Sequence, residues 1–137
     1  MKIAMIGCGK LGLPCAEVMS QQYNVVGYDV VKDPDAQIEL LDTIKDAVTG
    51  RDLIFVAVPT PHDPVYGGGK PIADLPPKDF DYSIVQQVLT EINQYVTQDQ
   101  LVVLISTVLP GTVRLHLQPC ITNARFIYNP YLIAMGS

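Results

Sequence analysis

Chemistry-bearing residues are concentrated first in Gly7-Cys8-Gly9-Lys10-Leu11-Gly12, which matches G-x-G-x-x-G, and in Asp29, 20 positions after Gly9. In a turn of this kind the glycines have separate duties. The first makes a tight bend, the second lets backbone approach a pyrophosphate, and the third lets a helix pack closely on a strand. A helix beginning near Lys10 aims unpaired N–H groups and a positive dipole end at the phosphates, so backbone holds most of the anion. Asp29 closes the run Val25-Val26-Gly27-Tyr28. A carboxylate there accepts hydrogen bonds from the adenosine ribose hydroxyls and repels a 2′-phosphate, which favours NAD over NADP. The competing reading is a domain that keeps the turn for packing and binds nothing.

Those residues need strands and helices to hold them. Lys2-Ile3-Ala4-Met5-Ile6 reads as the first strand, and Leu11, Cys15, Val18 and Met19 fall on one face of the helix that follows. Pro14 is tolerated in the first turn, where N–H groups lack intrahelical partners. Asp33-Pro34 reads as an N-cap with proline at the first helical position, opening a second helix striped by Ile38, Leu41 and Ile44 and ended by Gly50. Leu53 to Val58 is a continuous apolar run, as in a strand buried on both faces. From 59 to 82 the chain changes character: six of the 11 prolines lie between Pro59 and Pro77, around Gly67-Gly68-Gly69. This is one long loop, either a lid over a site or a disordered excursion. Gly67 to Lys70 lacks the spacing and the Ser or Thr of a phosphate loop. Ile84, Val85, Val88, Leu89, Ile92 and Val96 repeat at helical spacing. Leu101–Ile105 is the fourth strand, a short helix runs through about Leu117, and Phe126-Ile127-Tyr128 is the fifth strand.

At 137 residues the chain fits one domain. The net charge is −5, Lys and Arg number 9 and no basic cluster is present, which argues against nucleic acid as a partner. No apolar run reaches the roughly 18 residues of a membrane span, and no secretory leader precedes the first strand, so a cytoplasmic protein is expected. Cys8, Cys15 and Cys120 form no C-x-x-C, and with His62 and His116 they give no zinc spacing, so no metal is expected. They read as small buried residues of a reducing compartment, Cys8 as a filler of the glycine turn rather than a nucleophile.

Alternating strands and helices imply an α/β doubly wound parallel sheet of the Rossmann type, strand order 3-2-1-4-5, with helices on both faces. Gly7, Asp29, Pro59-Thr60-Pro61, Ser106-Thr107 and Asn129 each follow a strand directly. In such sheets ligands bind beyond the carboxyl ends of the strands, where strand order reverses. The glycine turn and Asp29 take pyrophosphate and adenosine, leaving Thr60, Thr107 and Asn129 nearer the nicotinamide half.

Four segments resemble one family, the nucleotide-sugar dehydrogenases, whose members oxidise UDP-glucose or GDP-mannose. Gly7 to Pro14 is similar to the family's G-x-G-Y-V-G-L-P, and Val58-Pro59-Thr60-Pro61 to its V-P-T-P. Ser106-Thr107-Val108-Leu109-Pro110-Gly111-Thr112 resembles S-T-V-P-x-G-T, and Asn129-Pro130 resembles the start of N-P-E-F-L. The resemblance implies an NAD-binding domain over 1–137 and an NAD-dependent, four-electron oxidation of a sugar C6 alcohol to a carboxylate. It places Leu11, Asp29, Thr60 and Thr107 near the cofactor and gives Thr107 an auxiliary catalytic role, positioning a water. A serine-threonine pair capping the next turn is the alternative for Ser106 and Thr107. The pattern departs from the family at Tyr131 and Met135, where it has glutamates, and at Ile105, where it has lysine. The sugar-binding domain and nucleophilic cysteine would lie beyond Ser137, and Cys120 does not match that cysteine.

The expected site set is therefore Gly7, Gly9, Lys10, Leu11, Gly12, Asp29, Thr60 and Thr107, with NAD as cofactor. A nucleotide sugar becomes a partner only through a further domain, and oligomeric state is not legible. Two other readings stand beside it. One is a non-catalytic dinucleotide-binding or interaction protein that kept the fold, favoured by the lost glutamates. The other is a hydroxyacid-type NAD-dependent dehydrogenase, disfavoured by V-P-T-P and S-T-V.

Overall fold

Short apolar runs separated by turns can bury their side chains on both faces only by lying side by side in one sheet. A computed structural model describes residues 1–61 and 81–130, and those runs do so. The strands are β1 (Lys2–Ile6), β2 (Asn24–Tyr28), β3 (Glu39–Leu40), β4 (Leu53–Val56), β5 (Leu101–Leu104) and β6 (Arg125–Tyr128). They pair in the order β3-β2-β1-β4-β5-β6, every pair parallel. β1 is central, with Ile3 opposite Val25 on one side and Leu53 on the other. Its alternate residues feed two cores. Ala4 and Ile6 join Val26, Ile54, Val56, Val85 and Leu104, while Ile3 and Met5 join Leu13, Ala16, Val25 and Val103.

The helices are α1 (Gly12–Met19), α2 (Ile44–Val48) and α3 (Ser83–Asn93), with a π-helical turn Val113–Leu117 running into a 3-10 turn Gln118–Cys120. α1 packs on the core of Ile3 and Met5, and α2 and α3 pack on the other, so the sheet is covered on both faces. Gln100, buried where α2 meets β4, donates to the carbonyls of Val48 and Arg51 at 2.8 and 2.7 Å. That tie fixes the helix end against the strand entry.

The doubly wound order is found, but the residues filling its places differ from expectation. The place beside β2 belongs to Glu39–Leu40, which pairs with Val26 and Gly27. The run from Leu53 instead lies between β1 and β5. The long helix expected after Pro34 is absent from this stretch. Asp33 Oδ1 accepts the Asp35 N–H at 2.9 Å in a local turn, and helix starts only at Ile44, capped by Thr43 Oγ1 on the Asp46 N–H at 3.0 Å. Ile38 and Leu41 share helical spacing yet join opposite cores, as neighbours on the two faces of a sheet edge.

On α1 the inward face is Gly12, Leu13 and Ala16, whereas Val18 is 65% exposed and Leu11 42% exposed. Small residues win that face because the helix must lie close to the sheet: a Cβ on Gly12 would fall 1.8 Å from the Gly7 carbonyl oxygen. The expected loop 59–82 lies for the most part outside the described residues. At its base the Asp81 N–H donates to the Pro61 carbonyl at 2.8 Å.

Candidate functional site

Because β1 sits between β2 and β4, with connections leaving in opposite directions, their carboxyl ends splay apart and leave a crevice. A cleft of about 660 Å³ occupies that place, within the range of small-molecule and cofactor sites. Gly7, Gly9, Lys10, Leu11, Asp29, Thr60 and Thr107 all line it. Gly12 does not, and its part is the close helix contact described above. Asn129 is not in the lining either. It is exposed at the end of the edge strand β6, its N–H spent on the Leu104 carbonyl at 2.9 Å. Tyr131, Met135 and His62 lie outside the described residues.

The three glycines of the turn sit in different surroundings. Gly7 has φ +96°, and a Cβ there would meet the Ala57 carbonyl oxygen at 2.3 Å. Gly9 has open space where its Cβ would be. The amide N–H groups of Gly9, Lys10 and Leu11 have no acceptor among the described residues. Three donors at the start of a helix, beside a glycine with nothing above it and a lysine on the rim, suit a diphosphate.

Asp29 is already engaged. Its Oδ2 accepts the Cys8 N–H at 2.8 Å, tying the end of β2 to the glycine turn. A carboxylate has about four lone-pair sites, so acceptor capacity remains for ribose hydroxyls. Cys8 is buried, with its Sγ set where Gly27 lacks a side chain: a Cβ on Gly27 would lie 2.6 Å from that sulfur. Burial pushes the Cys8 thiol up to about 11, and the nearby Asp29 carboxylate pushes the same way. Such a thiol is a packing residue, not a nucleophile. Lys32, three positions past Asp29, pairs with Asp42.

Hydroxyls knit the opposite wall. Thr60 Oγ1 donates to the Thr107 carbonyl at 2.7 Å, and Ser106 Oγ donates to the Val58 carbonyl at 2.7 Å. These bonds join the segments after β4 and β5. The Ser106 hydroxyl is thus occupied along that wall rather than capping a turn, and the Thr107 hydroxyl has no partner among the described residues. Ile84 and Val88 of α3 also line the cleft, Ile84 at 38% exposure. Helical periodicity alone does not set them apart from Val85, Leu89 and Ile92, which are buried. The sign of another role is that the apolar stripe is wider than the buried face of Val85, Leu89 and Ile92.

Comparisons with known proteins bear on the family and the fold. The UDP-glucose/GDP-mannose dehydrogenase family, NAD binding domain, matches residues 29–134. The glycine turn precedes that match, so its assignment rests on the contacts above. The UDP-N-acetyl-D-mannosamine dehydrogenases of Methanococcus vannielii and Methanococcus maripaludis are 29% and 30% identical over 135 residues, covering 82% of this chain and 30% of each relative. Among solved structures, GDP-mannose dehydrogenase from Pseudomonas aeruginosa superposes with TM-score 0.74 at 23% identity, covering 98% of this chain and 37% of that one. A UDP-glucose dehydrogenase from Pyrobaculum islandicum gives TM-score 0.74 at 20% identity, covering 99% and 37%. These two likenesses concern the fold. The chain spans about a third of the length of the relatives it matches.

Proposed function

The chain belongs to the UDP-glucose/GDP-mannose dehydrogenase family, whose NAD-binding domain it carries, and from that premise we propose how the cofactor lies and what it serves. Residues 1–137 act as one NAD-binding domain. The pyrophosphate rests on the amides of Gly9, Lys10 and Leu11, and Asp29 holds the adenosine ribose. Val30, Ile84 and Val88, apolar residues on the cleft wall, take the adenine. The nicotinamide lies toward Thr60 and Thr107. The observation that carries this reading is the contrast within the turn. Gly7 and Gly12 are hemmed in by backbone, while Gly9 faces open space in the cleft beside donors without acceptors among the described residues.

When bound, NAD supplies a hydride acceptor at its nicotinamide ring. The chain's own residues bind and orient it, and Asp29 discriminates against a 2′-phosphate. No free cation offsets that bias at Lys32, which Asp42 engages. The Thr107 hydroxyl, able both to donate and to accept, is placed to hold a water near the reacting carbon. In the whole protein this serves oxidation of a nucleotide-sugar C6 alcohol to a carboxylate. Hydride transfer requires the sugar to be held against the ring by further residues, so this chain alone binds cofactor without turning over sugar. Among the described residues no helix is long and apolar enough to cross a membrane. The three cysteines are free, in keeping with a cytoplasmic, reducing setting.

Titration of the 137-residue chain with NADH, followed by nicotinamide fluorescence, tests the assignment. Saturable binding that ADP-ribose competes away is expected. No binding at millimolar NADH would instead favour the non-catalytic reading.

A further inference from the structure

We propose that Tyr82 and Tyr128 are positioning residues of the dinucleotide site, their hydroxyls clamping the turn that presents Thr107. This rests on the reading above that Thr107 faces the nicotinamide half.

The backbone after β5 loses its sheet partner at a defined point. Ile105 still donates to the Val56 carbonyl, and Asn129 still donates to the Leu104 carbonyl. Past these bonds the chain rises off the sheet, and its polar groups need acceptors elsewhere. Two consecutive amides find them on aromatic side chains from separate elements. The Val108 N–H donates to Tyr128 Oη at 3.3 Å, from the end of β6. The Leu109 N–H donates to Tyr82 Oη at 3.1 Å, from the residue preceding α3. Tyr82 Oη also shares a hydrogen bond with Thr112 Oγ1 at 3.3 Å, reaching the end of the same turn.

Val108, Thr112 and Tyr82 are buried, so water is poorly placed to replace these bonds. The Thr107 carbonyl, the other end of the same peptide unit as the Val108 N–H, is held by Thr60, and on the N-terminal side the Ser106 hydroxyl donates to the Val58 carbonyl. Thr107 is thus fixed from both flanks while its own hydroxyl stays without a described partner at the cleft. A tyrosine suits this task because its hydroxyl sits at the tip of a rigid ring with two rotatable bonds, so little freedom is lost in aiming it. Neither tyrosine belongs to the cleft segment it serves. The clamp converts the positions of α3 and β6 into the position of one hydroxyl.

Tyr82→Phe and Tyr128→Phe keep the ring and remove only the hydroxyl. In the 15N-labelled chain, amide hydrogen exchange should speed about tenfold at Leu109 in the first variant and at Val108 in the second. NADH affinity should fall about three- to tenfold, the effect of one lost hydrogen bond. Affinity for ADP-ribose, which lacks the nicotinamide, should not change. Wild-type exchange and NADH affinity in both variants would overturn the clamp, as would equal loss for NADH and ADP-ribose, the mark of a merely structural role. If buried Tyr82→Phe does not fold, Tyr128→Phe at its half-buried site decides the matter alone. A wild-type chain that does not bind NADH removes the site reading and the clamp with it. A wild-type chain that binds NADH, with variants indistinguishable from it, removes only the clamp.

Discussion

Replacing Gly9 by alanine separates cofactor binding from folding more cleanly than any other change in the cleft. Its φ lies outside the left-handed region, and a Cβ there meets no heavy atom within 4 Å. A methyl group is therefore free of strain in the folded chain, and the lost freedom of the unfolded chain favours folding by about 0.4–1 kcal/mol. The same methyl would stand in the cleft where a pyrophosphate must approach the backbone. Holding the diphosphate off two amides, each contributing about 1.5–3 kcal/mol toward an anionic acceptor, lowers NAD affinity by about 100-fold or more.

Gly7→Ala is the paired control. Its φ of +96° and the Ala57 oxygen 2.3 Å from the added Cβ make strain unavoidable. The cost is about 2 kcal/mol at least, a fall in Tm on the order of 8 °C. Calorimetric NADH titration and thermal melts on both variants give the four numbers required. A Gly9→Ala chain that is as stable as wild type and binds NADH equally well would refute the placement of the diphosphate.

Two other perturbations probe the adenosine side. Asp29→Asn should weaken NAD binding about tenfold and narrow the gap between NAD and NADP, as the repulsion of a 2′-phosphate and the charge-assisted bond to Cys8 N–H are both lost. Equal dissociation constants for wild type and variant with both cofactors would remove Asp29 from the site. Cys8, with its thiol raised to about 11, should resist iodoacetamide at pH 8 in the folded chain, whereas Cys120 reacts. The folded thiol ionises above the unfolded one, so the unfolded state loses its proton first as pH rises. The contribution of Cys8 is complete below about pH 9 and decays toward pH 11, and Cys8→Ala should flatten that part of the stability profile measured by urea unfolding. An unchanged slope would show that Cys8 does not report burial.

Legibility in the sequence followed the range of the interactions concerned. The glycine turn, β1, β2, β4, β5, β6 and the position of Asp29, Thr60 and Thr107 on the cleft lining were readable because each depends on local pattern and on the rule that clefts open beyond strand ends. β3 was not. Two residues carry no periodicity, and Glu39–Leu40 is a strand only because Val26 and Gly27 offer an edge. The face of α1 misled for a related reason: apolar spacing favoured Val18, but the close approach to the sheet selects Gly12 and Ala16. The clamping role of Tyr82 and Tyr128 joins residues 20 and 27 positions apart in the chain. Nothing local announces it.

The single bond from Asp81 N–H to Pro61 carbonyl has a consequence for how this architecture tolerates change. Exit and re-entry points already touch there, and closing a longer excursion costs only about 0.6 kcal/mol per doubling of its length. The spacing between the end of β4 and the start of α3 is thereby set by one short contact rather than by the number of residues that separate Pro61 from Asp81.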